Sequence, residues 1–156
     1  MAIQMITHIG VCVSNPEASR RFYRDGLGFK ELTQLEVSNE ASNQLMSLEG
    51  AVLRACFLER DGVRIELLHF PTGHLEGERP RPFNRLGLTH FAVRCDDLDA
   101  TIAALERVGA QVVEGSRMHN PDFQAHCAIV MDPDGTRVEL IEAPGDPAAP
   151  LGSPIE

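Results

Sequence analysis

The chain has 156 residues, of which 43% are hydrophobic and 24% are charged, and its formal net charge is −9. The net negative charge argues against a nucleic-acid partner, because phosphate binding requires a positive surface. No stretch approaches the roughly 18 consecutive apolar residues of a transmembrane helix, and the first residues lack the pattern of a secretory signal. We therefore predict a cytoplasmic protein that binds neither nucleic acid nor membrane.

An internal repeat organises the sequence. The segment THIGV at residues 7–11 resembles THFAV at residues 89–93, and DGVRIELL at 61–68 resembles DGTRVELI at 134–141. Two matches in the same order predict two copies of one module, at residues 4–70 and 88–143. Residues 71–87 are rich in Pro, Gly and charge, which is typical of a linker. Residues 144–156 are interpreted as a flexible tail, and the whole as one structural domain.

The first module is predicted to begin with a strand at Ile6–Val13. Ser14 or Asn15 can cap the helix that follows, Pro16 suits its first turn, and Gly26 can end it. Three further strands are expected, and the Asp-Gly pair at residues 61–62 is typical of a hairpin turn between the last two. These strands are predicted at Lys30–Val37, Ala51–Glu59 and Val63–Phe70.

The second module follows the same order of elements. A strand at Leu88–Cys95 precedes a helix that Asp96 or Asp97 can cap and that Gly109 can end. Leu98, Ile102 and Leu105 recur at helical spacing and so predict one buried stripe. Three strands close the module, at Gln111–Glu114, His126–Asp132 and Arg137–Ala143. The order βαβββ in both halves predicts an α+β fold.

Alternation of side chains across a strand sets His8 and His90 on the face opposite their apolar neighbours. The same parity places Glu66 on the face opposite Ile65 and Leu67, and Glu139 on the face opposite Val138 and Leu140. A Glu in so apolar a strand is costly to bury without a partner. Either each Glu pairs with the Arg two residues earlier, or the set holds a divalent metal. Mixed nitrogen and oxygen ligands suit Zn, Ni, Co, Mn or Fe(II), and the duplicated pattern favours a metal site formed by His8, Glu66, His90 and Glu139.

These motifs resemble the vicinal oxygen chelate superfamily, which includes glyoxalase I, methylmalonyl-CoA epimerase, extradiol dioxygenases, and fosfomycin and bleomycin resistance proteins. The resemblance covers about residues 4–143, and its most specific parts are THIGVCV followed by a helix and LGF, then THFAV, then DPDGTRVELIE. It implies two βαβββ modules that form a curved mixed sheet around a metal cleft. It also implies the ligand set His8, Glu66, His90 and Glu139, and a homodimer whose sites are completed by one chain or by two.

The four-ligand set is most similar to that of glyoxalase I, and methylmalonyl-CoA epimerase is close. The resemblance implies a metal-dependent lyase or isomerase whose small substrate chelates the metal through adjacent oxygens. Glu139 or Glu66 would then act as the catalytic carboxylate that moves a proton next to the polarised carbonyl. One alternative is an Fe(II) extradiol-type dioxygenase, which leaves Glu66 without a role. Another is a non-catalytic small-molecule binding or resistance protein, for which the ligand set is superfluous.

Three further residues are candidate substrate contacts. His126 precedes the DPDG turn and either contacts the substrate or has a structural role. Arg64 and Arg137 share the predicted faces of Glu66 and Glu139, where they would orient the carboxylates, bind an anionic substrate, or simply be exposed. The four cysteines form no CxxC pair and are predicted to be buried free thiols.

Overall fold

The computed structural model of the chain describes residues 2–73, 75–77 and 82–150. It consists of two compact units, unit 1 (Met1–Glu78) and unit 2 (Arg79–Glu156). The boundary falls inside the predicted linker, of which residues 74 and 78–81 lie outside the described residues. Residues 151–156 of the predicted tail also lie outside the described residues. In the described part of the tail, Asp146 accepts a hydrogen bond from the backbone N–H of Ala148 in a local turn.

Unit 1 is built on one mixed sheet with its strands in the order β1-β4-β3-β2. β1 runs parallel to β4, and the other neighbours are antiparallel. Its elements are β1 (Ile9–Cys12), α1 (Pro16–Arg20) continued by a π-helical segment (Arg21–Gly26), β2 (Lys30–Val37), α2 (Glu40–Met46), β3 (Leu53–Arg60) and β4 (Val63–His69).

The first helix begins where the sequence predicts. Asn15 is its N-cap, and the Asn15 side chain accepts a hydrogen bond from the backbone N–H of Ala18, which satisfies one of the helix's free donors. Phe22 and Tyr23 in the π-helical segment are fully buried, and the α1 helix contacts β4. The buried side chains of Ile65 and Leu67 on β4 belong to the sheet face that carries this core.

Unit 2 repeats the plan, with its main strand order β5-β9-β8-β6 and with β7 paired to β8. Again the first strand runs parallel to the last, β5 to β9, and the other pairs are antiparallel. Its elements are β5 (His90–Arg94), α3 (Leu98–Glu106), β6 (Gln111–Val112), β7 (Met118–Asn120), β8 (Ala125–Met131) and β9 (Arg137–Glu142). The α+β prediction is confirmed.

The α3 helix covers one face of the second sheet. Asp97 caps it through the backbone N–H of Ala100, and the predicted stripe Leu98, Ile102 and Leu105 is buried. The helix contacts β6, β8 and β9, and on this face Ala128 and Val130 of β8 and Val138 and Leu140 of β9 are fully buried. In each unit we call this covered side the helix face and the opposite side, which carries the candidate His and Glu, the His–Glu face.

Two elements were not predicted from the sequence. The α2 helix has an Asn39 cap that accepts from the backbone of Ser42, but it is too short to show a helical period. β7 has only three residues, which is below the length at which alternation is readable. The first strand is also shorter than the predicted Ile6–Val13. It begins at Ile9 and ends at Cys12, so His8 lies immediately before it. Among the described residues, no helix is long and apolar enough to cross a membrane.

The turn between β8 and β9 depends on one buried carboxylate. Asp132 is 1% exposed, and its Oδ1 accepts hydrogen bonds from the backbone N–H groups of Asp134 and Thr136 at 2.9 and 2.8 Å. Because β9 carries Glu139, this turn fixes the start of a strand that positions the candidate site.

We predict that Asp132→Ala lowers the free energy of unfolding by about 2 kcal/mol, since it leaves two backbone donors without an acceptor. Asp132→Asn retains an acceptor oxygen and should cost less. Asp146→Ala removes a similar bond from an exposed turn and is the control, expected to change stability by about 0.5 kcal/mol or less. Urea denaturation measures all three, and equal losses for Asp132→Ala and Asp146→Ala would contradict the role of the buried turn.

Candidate metal centre

In unit 1 the strand register brings His8 and Glu66 together. Glu66 is the partner of Gly10 across the parallel pair β1–β4, so it lies on the same face as His8, two residues before Gly10. His8 Nε2 is 3.1 Å from Glu66 Oε2. Gly10 suits this position because a Cβ there would lie 3.0 Å from Leu68 Cδ1.

Unit 2 reproduces the same arrangement. Glu139 is the partner of Ala92 across the parallel pair β5–β9, and His90 lies two residues before Ala92. His90 Nε2 is 3.2 Å from Glu139 Oε2. The repeat in the sequence is therefore a repeat in the geometry of two side-chain pairs.

A threonine contacts the other ring nitrogen of each histidine. Thr7 Oγ1 lies 2.9 Å from His8 Nδ1, and Thr89 Oγ1 lies 2.8 Å from His90 Nδ1. A hydroxyl both donates and accepts. It can donate to Nδ1 while Nε2–H points at the carboxylate, and it can accept from Nδ1–H when Nε2 binds a cation. The sequence interpretation missed Thr7 and Thr89, although the repeated Thr-His dipeptide was a readable signal.

The geometry of each pair fits a shared cation. Ligand atoms at about 2.1 Å from an ion are about 3.0 Å apart at right angles and about 3.4 Å apart at the tetrahedral angle. The nitrogen–oxygen distances of 3.1 and 3.2 Å lie between these values. The side chains are partly open, with exposed fractions of 36% for His8, 14% for Glu66 and 27% for both members of the second pair.

The predicted set of four thus occurs as two pairs, one in each unit. Within the described ranges, no three His, Cys, Asp or Glu side chains are grouped as a set of metal ligands. A single centre that uses all four residues is therefore a proposal.

One alternative was that each Glu pairs with the Arg two residues earlier. In unit 1, Glu66 does not pair with Arg64 in this way. Glu66 contacts His8, whereas Arg64 Nη2 lies 3.4 Å from Glu59 Oε2. Arg64 does share the His–Glu face of unit 1, because it is two residues before Glu66. Arg64 is therefore a neighbour of the His8–Glu66 pair, and its own ion-pair partner is Glu59.

The two histidines also contact aromatic rings, but of different origin. The Phe57 ring, on β3 directly beside Glu66, meets His8 edge-on with centroids 5.2 Å apart. In unit 2 the corresponding strand position beside Glu139 is Ile129. There the ring is supplied by Phe83, which stacks on His90 at 5.0 Å.

His126 lies on the other side of the second sheet. Ile129 is the partner of Glu139 and His126 the partner of Glu142, so His126 is on the helix face and Glu139 on the His–Glu face. The ring of His126 stacks on that of His119 at 4.5 Å, and both line a cavity of about 390 Å³ near the start of α3. The structure thus separates His126 from the His90–Glu139 pair.

An apolar cluster covers part of the His–Glu face of unit 1. Leu68, two residues after Glu66, and Phe57, beside it, pack against the buried side chains of Leu53, Ala55 and Phe70. The surroundings of the first pair are therefore apolar toward one end of the strands.

The sequence of the chain matches the model of a known family. The model of the glyoxalase/bleomycin resistance protein/dioxygenase superfamily matches residues 5–140. The chain belongs to this superfamily. The resemblance stated from the sequence is thereby confirmed.

Two curated relatives match over most of this chain. The uncharacterized protein YaeR of Escherichia coli K12 is 32% identical over 145 residues, which cover 91% of this chain and 98% of that protein. The lactoylglutathione lyase-like protein terB of Aspergillus terreus is 32% identical over 155 residues, covering 89% of this chain and 75% of that protein.

Solved structures show the same fold. A glyoxalase family protein from Bacillus cereus superposes with a TM-score of 0.80 at 18% identity, covering 93% of this chain and 97% of that one. A mutant of the fosfomycin resistance protein FosX of Listeria monocytogenes, in complex with Mn(II) and a dihydroxypropylphosphonic acid, has a TM-score of 0.63 at 13% identity, covering 92% of this chain and 93% of that one. Identities this low support the fold and nothing further.

The cysteines differ in their environment. Cys56 and Cys127 are buried as predicted, whereas Cys95 is half-buried and Cys12, near the His8–Glu66 pair, is exposed. Burial raises the pKa of the Cys56 thiol to about 11, and it also raises the pKa values of Cys95 and Cys127. Since only the thiolate is nucleophilic, these three thiols are protected at neutral pH.

We predict that iodoacetamide at pH 8 alkylates Cys12 before the other three cysteines. Cys56 should stay unmodified until the protein is unfolded, because its pKa of about 11 leaves almost no thiolate at that pH. Peptide mapping by mass spectrometry after timed quenching measures the order, with the urea-unfolded protein as the control for intrinsic reactivity. Early labelling of Cys56 in the folded protein would show that this burial is wrong.

Proposed function

We propose that the protein is a divalent-metal-dependent lyase or isomerase, which moves a proton next to a carbonyl of a small substrate with adjacent oxygens. The duplicated His–Glu pair, with the same register and nearly the same distance in both units, is the observation that carries the proposal. His8, Glu66, His90 and Glu139 would hold one ion together, supplied by one chain or by the two chains of a homodimer. The expected location is the cytoplasm.

When bound, the metal would act as a Lewis acid that polarises the substrate carbonyl and so acidifies the neighbouring C–H bond. The protein would supply the rest. Thr7 and Thr89 would fix the ring orientation of the two histidines through their Nδ1 atoms, as neighbours of metal ligands commonly do. Each carboxylate has one oxygen beside an imidazole, which leaves its other oxygen to take up the proton.

The contact between Glu66 and His8 favours proton transfer over an Fe(II) dioxygenase. A dioxygenase of this superfamily is expected to use two His and one Glu, so that Glu66 would have no function. Here Glu66 has the same relation to His8 as Glu139 has to His90. The similarity to a lactoylglutathione lyase-like protein supports the same choice.

Arg64 and Arg137 would be cationic groups on the two His–Glu faces, each two residues before the Glu of its unit. We assign to them the orientation of the carboxylates or the binding of an anionic part of the substrate. His126 is left out of the proposed site because it belongs to the opposite face of its sheet.

We predict that the protein binds Ni²⁺, Co²⁺ or Mn²⁺, and that Glu66→Gln and Glu139→Gln each weaken the affinity at least about tenfold. A neutral amide is a poorer ligand than a carboxylate, and even changes beyond the ligands cost about ten- to a hundredfold. Isothermal titration of the metal-stripped protein measures this. Glu36→Gln is the matched control, because Glu36 is an exposed strand Glu of unit 1 that pairs with Arg54.

Tight binding by both Gln variants would remove Glu66 and Glu139 from the ligand set. Failure of the unaltered protein to bind any of Zn²⁺, Ni²⁺, Co²⁺, Mn²⁺ and Fe²⁺ would end the proposal altogether.

We also predict that the metal-loaded protein exchanges the α-hydrogen of hemithioacetal or acyl-CoA substrates with deuterium from solvent. The exchange should be lost in Glu139→Gln and retained in Glu36→Gln, since only the first removes a base next to the proposed metal. Proton NMR follows the loss of the substrate signal. Oxygen uptake on catechols with Fe(II), without any such exchange, would instead favour the dioxygenase.

A further inference from the structure

The segment before β5 places an aromatic ring on a candidate ligand. Phe83 stacks on the His90 ring with centroids 5.0 Å apart and an interplanar angle of 28°. The Arg137 guanidinium carbon lies 5.8 Å from the centroid of the same Phe83 ring. His90 and Arg137 are direct partners across the β5–β9 pair, so one ring spans two neighbouring strands of the His–Glu face.

The two units differ in the segment that supplies the aromatic ring beside the histidine. In unit 1 the aromatic neighbour of His8 is Phe57, which is part of β3. The equivalent strand position in unit 2 is Ile129, which has no ring. Phe83, from outside the repeated module, supplies the ring beside His90, and it is stacked on the imidazole rather than edge-on to it.

We propose that Phe83 is a positioning residue, which holds the His90 imidazole in the orientation that ligates the metal and keeps Arg137 beside it. This inference rests on the proposed metal centre. A parallel ring restricts rotation of the imidazole about its Cβ–Cγ bond, because rotation would break the stack. An Arg over an aromatic face is attracted to it, and that attraction holds the ring of Phe83 from the β9 side.

The position of Phe83 is not explained by core packing. Its side chain is 49% exposed, so it contributes less to stability than a buried Phe. The neighbouring Leu86 is also exposed, at 101%, and has no described ring contact. Leu86 therefore offers a matched control for truncation of an apolar side chain in the same segment.

The stack itself can be tested without metal. In the metal-free protein, the Phe83 ring should shift the His90 ring protons upfield, with the assignment made from the loss of their signals in His90→Gln. Phe83→Ala should remove the upfield shift, and Leu86→Ala should leave it unchanged. Identical His90 shifts in the unaltered protein and in Phe83→Ala would overturn the stack and the proposal with it.

The positioning role is tested by metal affinity. We expect Phe83→Ala to weaken Co²⁺ binding by about tenfold, the lower end of what loss of a residue that orients a ligand costs, and to alter the visible absorption of bound Co²⁺. Phe83→Tyr should retain both properties, Phe83→Leu should not, and Leu86→Ala should resemble the unaltered protein. The thermal unfolding midpoint should stay nearly constant across the series.

Each outcome bears on a different claim. If Phe83→Ala or Phe83→Leu binds Co²⁺ as tightly as the unaltered protein, the positioning role is wrong while the metal centre stands. If the unaltered protein binds neither Co²⁺ nor any of Zn²⁺, Ni²⁺, Mn²⁺ and Fe²⁺, the proposed function fails and the role of Phe83 fails with it.

Discussion

The contact between an imidazole and a carboxylate across two parallel strands is the constraint on which the rest of the structure depends. In each unit, the first strand must lie beside the last with His two residues before the partner of Glu. A shift of one residue in that register would move the whole strand's side chains to the opposite face. The parallel pairing sets this register in each unit, with Gly10 opposite Glu66 and Ala92 opposite Glu139.

The two units meet the same constraint with different surroundings. Unit 1 has an additional helix, α2, and an apolar cluster at one end of its His–Glu face. Unit 2 has an additional edge strand, β7, and an aromatic ring from outside the module. The strands that carry the His–Glu pairs are alike while their neighbours differ, which is the arrangement expected if the pairs hold the metal and the surroundings select the substrate.

Much of this could be predicted from the sequence because the repeat and strand parity are local signals. They predicted two modules and the α+β fold, and they sorted His8, Glu66, His90 and Glu139 by strand face in agreement with the register of each unit. They did not identify contacts that depend on the path of a connecting segment, such as Phe83 on His90. His126 illustrates another limit. Its face depends on the register of β8 against β9, which alternation within β8 alone does not fix.

The central claim is that the two His–Glu pairs hold one ion between them, and the stoichiometry of metal binding tests it most directly. Titration of the metal-stripped protein with Ni²⁺ should give one tightly bound ion per chain. The double variants His8→Gln/Glu66→Gln and His90→Gln/Glu139→Gln should each abolish tight binding. Two ions per chain in the unaltered protein, with one retained in each double variant, would contradict the claim, because each pair would then be a separate site.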